Sequence, residues 1–237
     1  PAITSATYDA TTGALVVTGT GLTNGGAIDE TKLTLTGEGG STHTLTETGA
    51  ITASSTTQFS LTLNAADKAA VNQILNKAGT TSTGGTTFNL AGAADWHGTG
   101  NADTTGNAVT VSNVPVPAIT NATYDASTGV LTVTGTGFTS RNGAANDIDV
   151  TKLTISGDST AYTLTANTTD VEITSATSFT VTLGSTDRTA VAARLNKDGT
   201  SSTGNVTYNL AAAEDWARGA DSTVTIADTT GNGITVS

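Results

Sequence analysis

The chain has no cysteine and no methionine, only three prolines, and aromatic side chains at 4% of its 237 residues. No disulfide can staple the fold, and no thiol can serve as nucleophile or soft metal ligand. A core so short of rings has to be built from Val, Ile and Leu, which suits thin layers with alternate residues pointing inward. Basic residues are scarce too: 9 Lys and Arg stand against 20 Asp and Glu, for a net charge of -11. Such a surface repels nucleic-acid phosphates and anionic lipid, and no Lys/Arg cluster offers either one a groove. No apolar run is long enough to span a bilayer and no signal peptide is seen, so membrane insertion is not expected. An export signal, if the parent protein has one, is expected outside this stretch.

What is present is a duplication. Pro1-Ala2-Ile3-Thr4 recurs as Pro117-Ala118-Ile119-Thr120, and Ala6 to Ala10 as Ala122 to Ala126. Thr18-Gly19-Thr20-Gly21-Leu22 matches Thr134 to Phe138, and Thr31-Lys32-Leu33-Thr34 matches Thr151 to Thr154. Leu75-Asn76-Lys77 matches Leu195-Asn196-Lys197, and Asp95-Trp96 matches Asp215-Trp216. Asp103-Thr104-Thr105-Gly106-Asn107 matches Asp228 to Asn232. The order never changes, so a whole domain is repeated. The reading is two domains, 1–116 and 117–237, joined by a short stiff Pro-containing linker and belonging to a longer array.

Period-two alternation predicts strands over Ile3 to Tyr8, Ala14 to Gly19, Lys32 to Thr36, His43 to Thr46, Ile51 to Ala53 and Gln58 to Leu63. Further strands are expected through Phe88 and Leu90 and through Val109 and Val111. One short helix interrupts them. Asn64 is the expected cap, Val71, Ile74 and Leu75 the buried stripe, and Gly79 the left-handed stop. Arg194 replaces Ile74 in the second copy, which places that position at the margin of the stripe. The class predicted is all-β: two tandem immunoglobulin-like β-sandwiches, each with one short helix between strands E and F. A closed barrel is the alternative.

The run Gly13 to Leu22, with its partner Gly129 to Phe138, resembles the opening of early-set immunoglobulin-like domains of the IPT/TIG kind. The Asp-Thr-Thr-Gly-Asn element resembles a hairpin of bacterial immunoglobulin-like repeats. The whole repeat looks like units stacked in very large proteobacterial surface proteins and type I-secreted adhesins. This resemblance implies an extracellular, bacterial cell-surface location and a spacer or adhesion role, often with calcium. The implied partners are neighbouring repeats of the same chain and host or cell-surface glycans or proteins. A self-assembling surface-layer or filament subunit is one alternative function, and a glycan-binding module another.

Catalytic chemistry finds little support. His43 aligns with Tyr162 and His97 with Ala217, so neither histidine is repeated, and both read as surface residues. Gly19-Thr20-Gly21 lacks the helix that a dinucleotide site needs directly after it. An enzyme is not expected. Trp96 and Trp216 have two readings, stacking on a sugar ring or packing at the sandwich edge.

The acids carry the metal reading. Carboxylates can hold calcium, or they can start turns with no metal at all. Two loops differ between copies: Gly21 to Asp29 spans 8 positions but Gly137 to Asp149 spans 12, and Trp96 to Asp103 spans 7 but Trp216 to Asp228 spans 12. Both insertions add an aspartate and both are expected at the same end of the second domain. An interdomain calcium site is therefore expected at Asp147, Asp149 and Asp228, with Asp221, and with the Asp9 turn opposite. Asp29 and Asp103 are the matched acids of the first copy.

Overall fold

The computed structural model describes residues 1–47, 49–141 and 146–237. Strand accounts for 38% of it and helix for 12%, which makes it all-β. The chain divides into two compact units, Pro1–Pro115 and Val116–Ser237. Each has its own cluster of buried apolar side chains. Among the described residues no helix is long and apolar enough to cross a membrane.

Unit 1 contains β1 (Ala2–Asp9), β2 (Ala14–Thr20), β3 (Ala27–Ile28), β4 (Leu33–Thr36), β5 (Thr42–Thr44), β6 (Ile51–Thr52), β7 (Gln58–Thr62), α1 (Ala65–Ile74), β8 (Asn89–Gly92) and β9 (Ala108–Ser112). Seven strands form one curled sheet in the order β5-β4-β8-β9-β1-β2-β7, and β3 pairs with β6 apart from it. Unit 2 repeats this with β10 (Ala118–Asp125), β11 (Val130–Thr136), β12 (Leu153–Ser156), β13 (Tyr162–Thr163), β14 (Ile173–Ser175), β15 (Ser178–Thr182), α2 (Ser185–Arg194), β16 (Asn209–Ala212) and β17 (Gly233–Val236). Its order is β13-β12-β16-β17-β10-β11-β15-β14.

The alternation in sequence becomes alternation of burial. In β2, Leu15 and Val17 are buried while Thr18 and Thr20 face out; in β7, Phe59 and Leu61 do the same against Ser60 and Thr62. The β1–β2 hairpin is set by its turn. Thr11 and Thr12 N–H donate to Asp9 Oδ1 at 2.9 Å, and Gly13 takes the positive φ of +79° that closes the loop. Asp125, Ser127, Thr128 and Gly129 repeat the arrangement.

Asn64 does cap α1, accepting from Asp67 N–H at 2.8 Å. Unit 2 has Gly184 at that position, and Asn167 reaches in from another loop to accept from Thr186 N–H. Two helix expectations are corrected. The helix ends at Ile74 and not at Gly79; Gly79 instead bridges Val111, which donates to its carbonyl and accepts from its N–H. Ile74 is buried, not marginal. Arg194, in its place, lies 5.2 Å over the Tyr162 ring and donates to Thr160 and Ala190 carbonyls. A long cation can cover apolar surface while its head stays wet, so the substitution is tolerated.

The cores differ at one buried hydroxyl. Tyr8 donates to Asn72 Oδ1 at 2.8 Å, and Asn72 donates onward to the Ala10 carbonyl. Unit 2 has Ala192 where Asn72 stands, and the Tyr124 hydroxyl is buried without a partner. Leaving a buried donor unpaired costs about 1–3 kcal/mol. Asn72→Ala is expected to destabilise unit 1 by that amount, read from its thermal or urea transition.

Candidate functional site

The sequence points to three groups of side chains: the tryptophans, the loop acids and the histidines. Trp96 and Trp216 are both 0% exposed. Neither ring offers a face to a sugar, which corrects the stacking reading. Trp216 packs edge-on to Phe138 at 5.7 Å and beside Phe179 at 6.0 Å, and donates from Nε1 to the Ile226 carbonyl at 2.8 Å. Trp96 packs on Phe59 at 5.9 Å and has no partner for Nε1. Counted back from the matched aspartate, Asn101 stands where Ile226 does, and its carbonyl accepts from Asp95 N–H instead.

Each nominated acid is bound within its own unit. Asp9 holds its turn and accepts from Asn113 Nδ2 at 2.6 Å. Asp29 and Asp149 cap short 3-10 turns, each accepting from the N–H and hydroxyl of the threonine two residues on. Asp221 accepts from Thr223 N–H and hydroxyl at 2.9 and 2.6 Å.

Asp103 and Asp228 form a tie. Ile3 N–H donates to Asp103 Oδ2 at 2.8 Å, and Asn107 Nδ2 donates to Oδ1 at 3.0 Å. Asn107 is buried and also donates to the Leu90 carbonyl. Ile119, Asp228, Asn232 and Leu210 reproduce every bond. The repeated Asp-Thr-Thr-Gly-Asn element is therefore a strap across the first strand and the last two.

The two lengthened loops of unit 2 do meet, as expected, and Arg218 joins them. Its N–H donates to the Asp147 carbonyl, and its guanidinium to the Asn146 carbonyl. The same guanidinium pairs with Asp149 at 3.2 Å and Asp170 at 2.9 Å. Arg141 returns a bond to the Arg218 carbonyl. Residues 142–145 of the longer loop lie outside the described residues. Asp147 is 1% exposed and accepts from Arg141 N–H at 2.7 Å and Ile173 N–H at 2.9 Å. Burial and the neighbouring Glu172 carboxyl push Asp147 up to about 6, against the pull of those two bonds.

Sequence reasoning missed two other acids. Asp67 and Asp187 are buried at the start of the helices. Asp67 accepts from His43 Nε2 at 2.8 Å and from Thr46 N–H and hydroxyl. Asp187 accepts from Tyr162, Thr165 and Thr168. Burial works to raise both carboxyls, but those bonds outweigh it and hold them below the usual carboxylate range. The signal lay in the alignment: a matched Asp in each helix, facing a His/Tyr exchange that preserves a donor. His97 was misjudged as a surface residue; it is 6% exposed.

Among the described residues no three His, Asp or Glu side chains are gathered as a metal ion would need. No protein-family model matches the chain, and a search of curated proteins returned no significant match.

The sign of the Asp147 shift is unusual for an acid that accepts two N–H groups. A raised carboxyl favours the fold fully below its unfolded value, near ~3.9, and that contribution is lost as pH rises through about 6. A carbon-detected NMR titration of Asp147 is expected to show a midpoint near 6, and Glu172→Gln to lower it.

Proposed function

We propose that the chain is a pair of structural spacer repeats from a large extracellular bacterial surface protein or adhesin, each repeat an immunoglobulin-like sandwich. Strand order supports the sandwich. β7-β2-β1 reads as one layer and β5-β4-β8-β9 as the other, with β1 shared at the seam where it pairs with both β2 and β9. The bulge between Ile3 and Ser5 is the kind of kink a strand uses to change layers.

One observation carries the spacer reading. The first and last strands of each unit lie side by side and parallel: Ser5 to Asp9 against Ala108 to Ser112, and Asn121 to Tyr124 against Gly233 to Val236. Parallel pairing puts the incoming and outgoing chain at opposite ends of the unit. Tension along the chain then shears every bond of the ladder together, and none can be peeled in turn. A repeat that transmits load wants this geometry. The Asp103 and Asp228 straps add charge-assisted bonds at the same seam.

Force spectroscopy tests it. Pulling the termini is expected to give two unfolding events, each releasing roughly 35–40 nm at about 3.4 Å per residue. Asp228→Ala is expected to weaken one of them. Forces no higher than those from a geometry that peels β7 away would count against the reading, and lateral self-association in sedimentation would favour the surface-layer alternative.

Calcium is not required by this reading, because backbone N–H groups and Arg218 already satisfy the nominated acids. The melting temperature is expected to be the same in excess calcium and in chelator. A rise of several degrees with calcium would restore the metal.

A further inference from the structure

His97 lies at the loop end of unit 1, its ring 5.7 Å from that of Trp96. Its two nitrogens meet backbone groups whose roles are fixed. Thr23 N–H can only donate, and it points at Nε2 from 2.9 Å. The Ala27 carbonyl can only accept, and it lies 2.8 Å from Nδ1. Together they admit one protonation state, with the proton on Nδ1 and the lone pair on Nε2. A second proton would set Nε2–H against Thr23 N–H. We propose that His97 is a pH-sensitive latch: neutral, it ties the Thr23–Ala27 loop to the Trp96 end of unit 1, and protonated, it releases the loop.

The surroundings offer the imidazolium no compensation. None of the other residues that share its recess, among them Pro1, Gly21 and Asn101, has a charged side chain. The acids nearest along the chain are Asp95 and Asp103 on either side of His97, and Asp29 and Glu30 after Ala27. Asp29 Oδ1 is bound by Thr31, and Asp95 Oδ1 by Gly100 N–H. The ring has little room to step aside, because a Cβ on Gly26 would stand 2.7 Å from its Cε1. Ala27 belongs to β3, which is held to β6 at Ala27–Thr52 and Ile28–Ile51, so release would loosen that small sheet as well.

The latched loop has no acceptor for a second ring proton, which the released loop can take up. Its stability is therefore present while the ring is neutral and lost as falling pH protonates it. The histidine latch belongs to unit 1 alone. Unit 2 has Ala217 at this position and holds the matching loop through Arg218, which stays charged throughout.

Amide hydrogen exchange on the full chain, followed by NMR from pH 8 to 5, tests the latch. After correction for intrinsic exchange, Thr23 protection is expected to fall as the pH is lowered, by up to about tenfold per pH unit. His97→Gln keeps an acceptor and a donor but does not titrate, so it is expected to abolish the fall. His43→Tyr is expected to leave it in place. Unchanged Thr23 protection in the natural chain, or an equal fall in the glutamine variant, would overturn the proposal.

Discussion

A single carboxylate, Asp103 in one unit and Asp228 in the other, holds each fold closed. β1 pairs with β2 from Ala2 onward, but reaches β9 only at Ser5. The N–H of Ile3 faces the seam before the ladder begins. An unpaired N–H at that point would favour fraying of the strand that closes the sheet. Asp103 accepts it, and holds Asn107 in the hairpin that feeds β9. Asn107 in turn bonds the Leu90 carbonyl of β8. One acid thus joins three strands that are far apart in sequence, and the parallel closure depends on it.

With that seam secured, the two units are free to differ elsewhere. At the loop end, unit 1 uses a histidine between two backbone groups. Unit 2 uses a guanidinium among two carboxylates and a carbonyl. Longer loops come with the second solution, because an arginine needs more acceptors than an imidazole. The aromatic cluster follows the same division. Phe138 replaces Leu22, and Trp216 gains a carbonyl that Trp96 lacks. The helix clamp keeps its acid and exchanges donors, His43 for Tyr162 and Asn64 for Thr168.

Much of this architecture was legible before any coordinates. Alternation located the strands within a residue or two, because each strand has one face inward and one toward water. Asn64 was legible as a cap because capping is local. The misses share a cause. Gly79 has the positive φ expected of a helix stop, +107°, but spends it on a bridge to Val111, a partner 32 positions away. His97 was taken for a surface group, and the tryptophans were left between two readings, because polar loops flank them. Burial there is imposed by the facing loop, which local pattern does not reveal. The acids had two readings, calcium ligands or turn formers, and their shared end of the domain left both open. Whether they share an ion or each serve a separate N–H depends on angstrom distances that loop lengths cannot supply.

The sequence by itself determined the duplication, the all-β class, the position of the longer strands and the turn at Asp9. These rest on periodicity and on contacts within a few residues. Only the tertiary structure decided that β1 and β9 run parallel, that Asp103 and Asp228 are ties, and that His97 is enclosed. Each of these requires partners 70 to 109 residues apart in the chain. A side chain's role follows from what it meets, and at that separation the meeting is made by the fold.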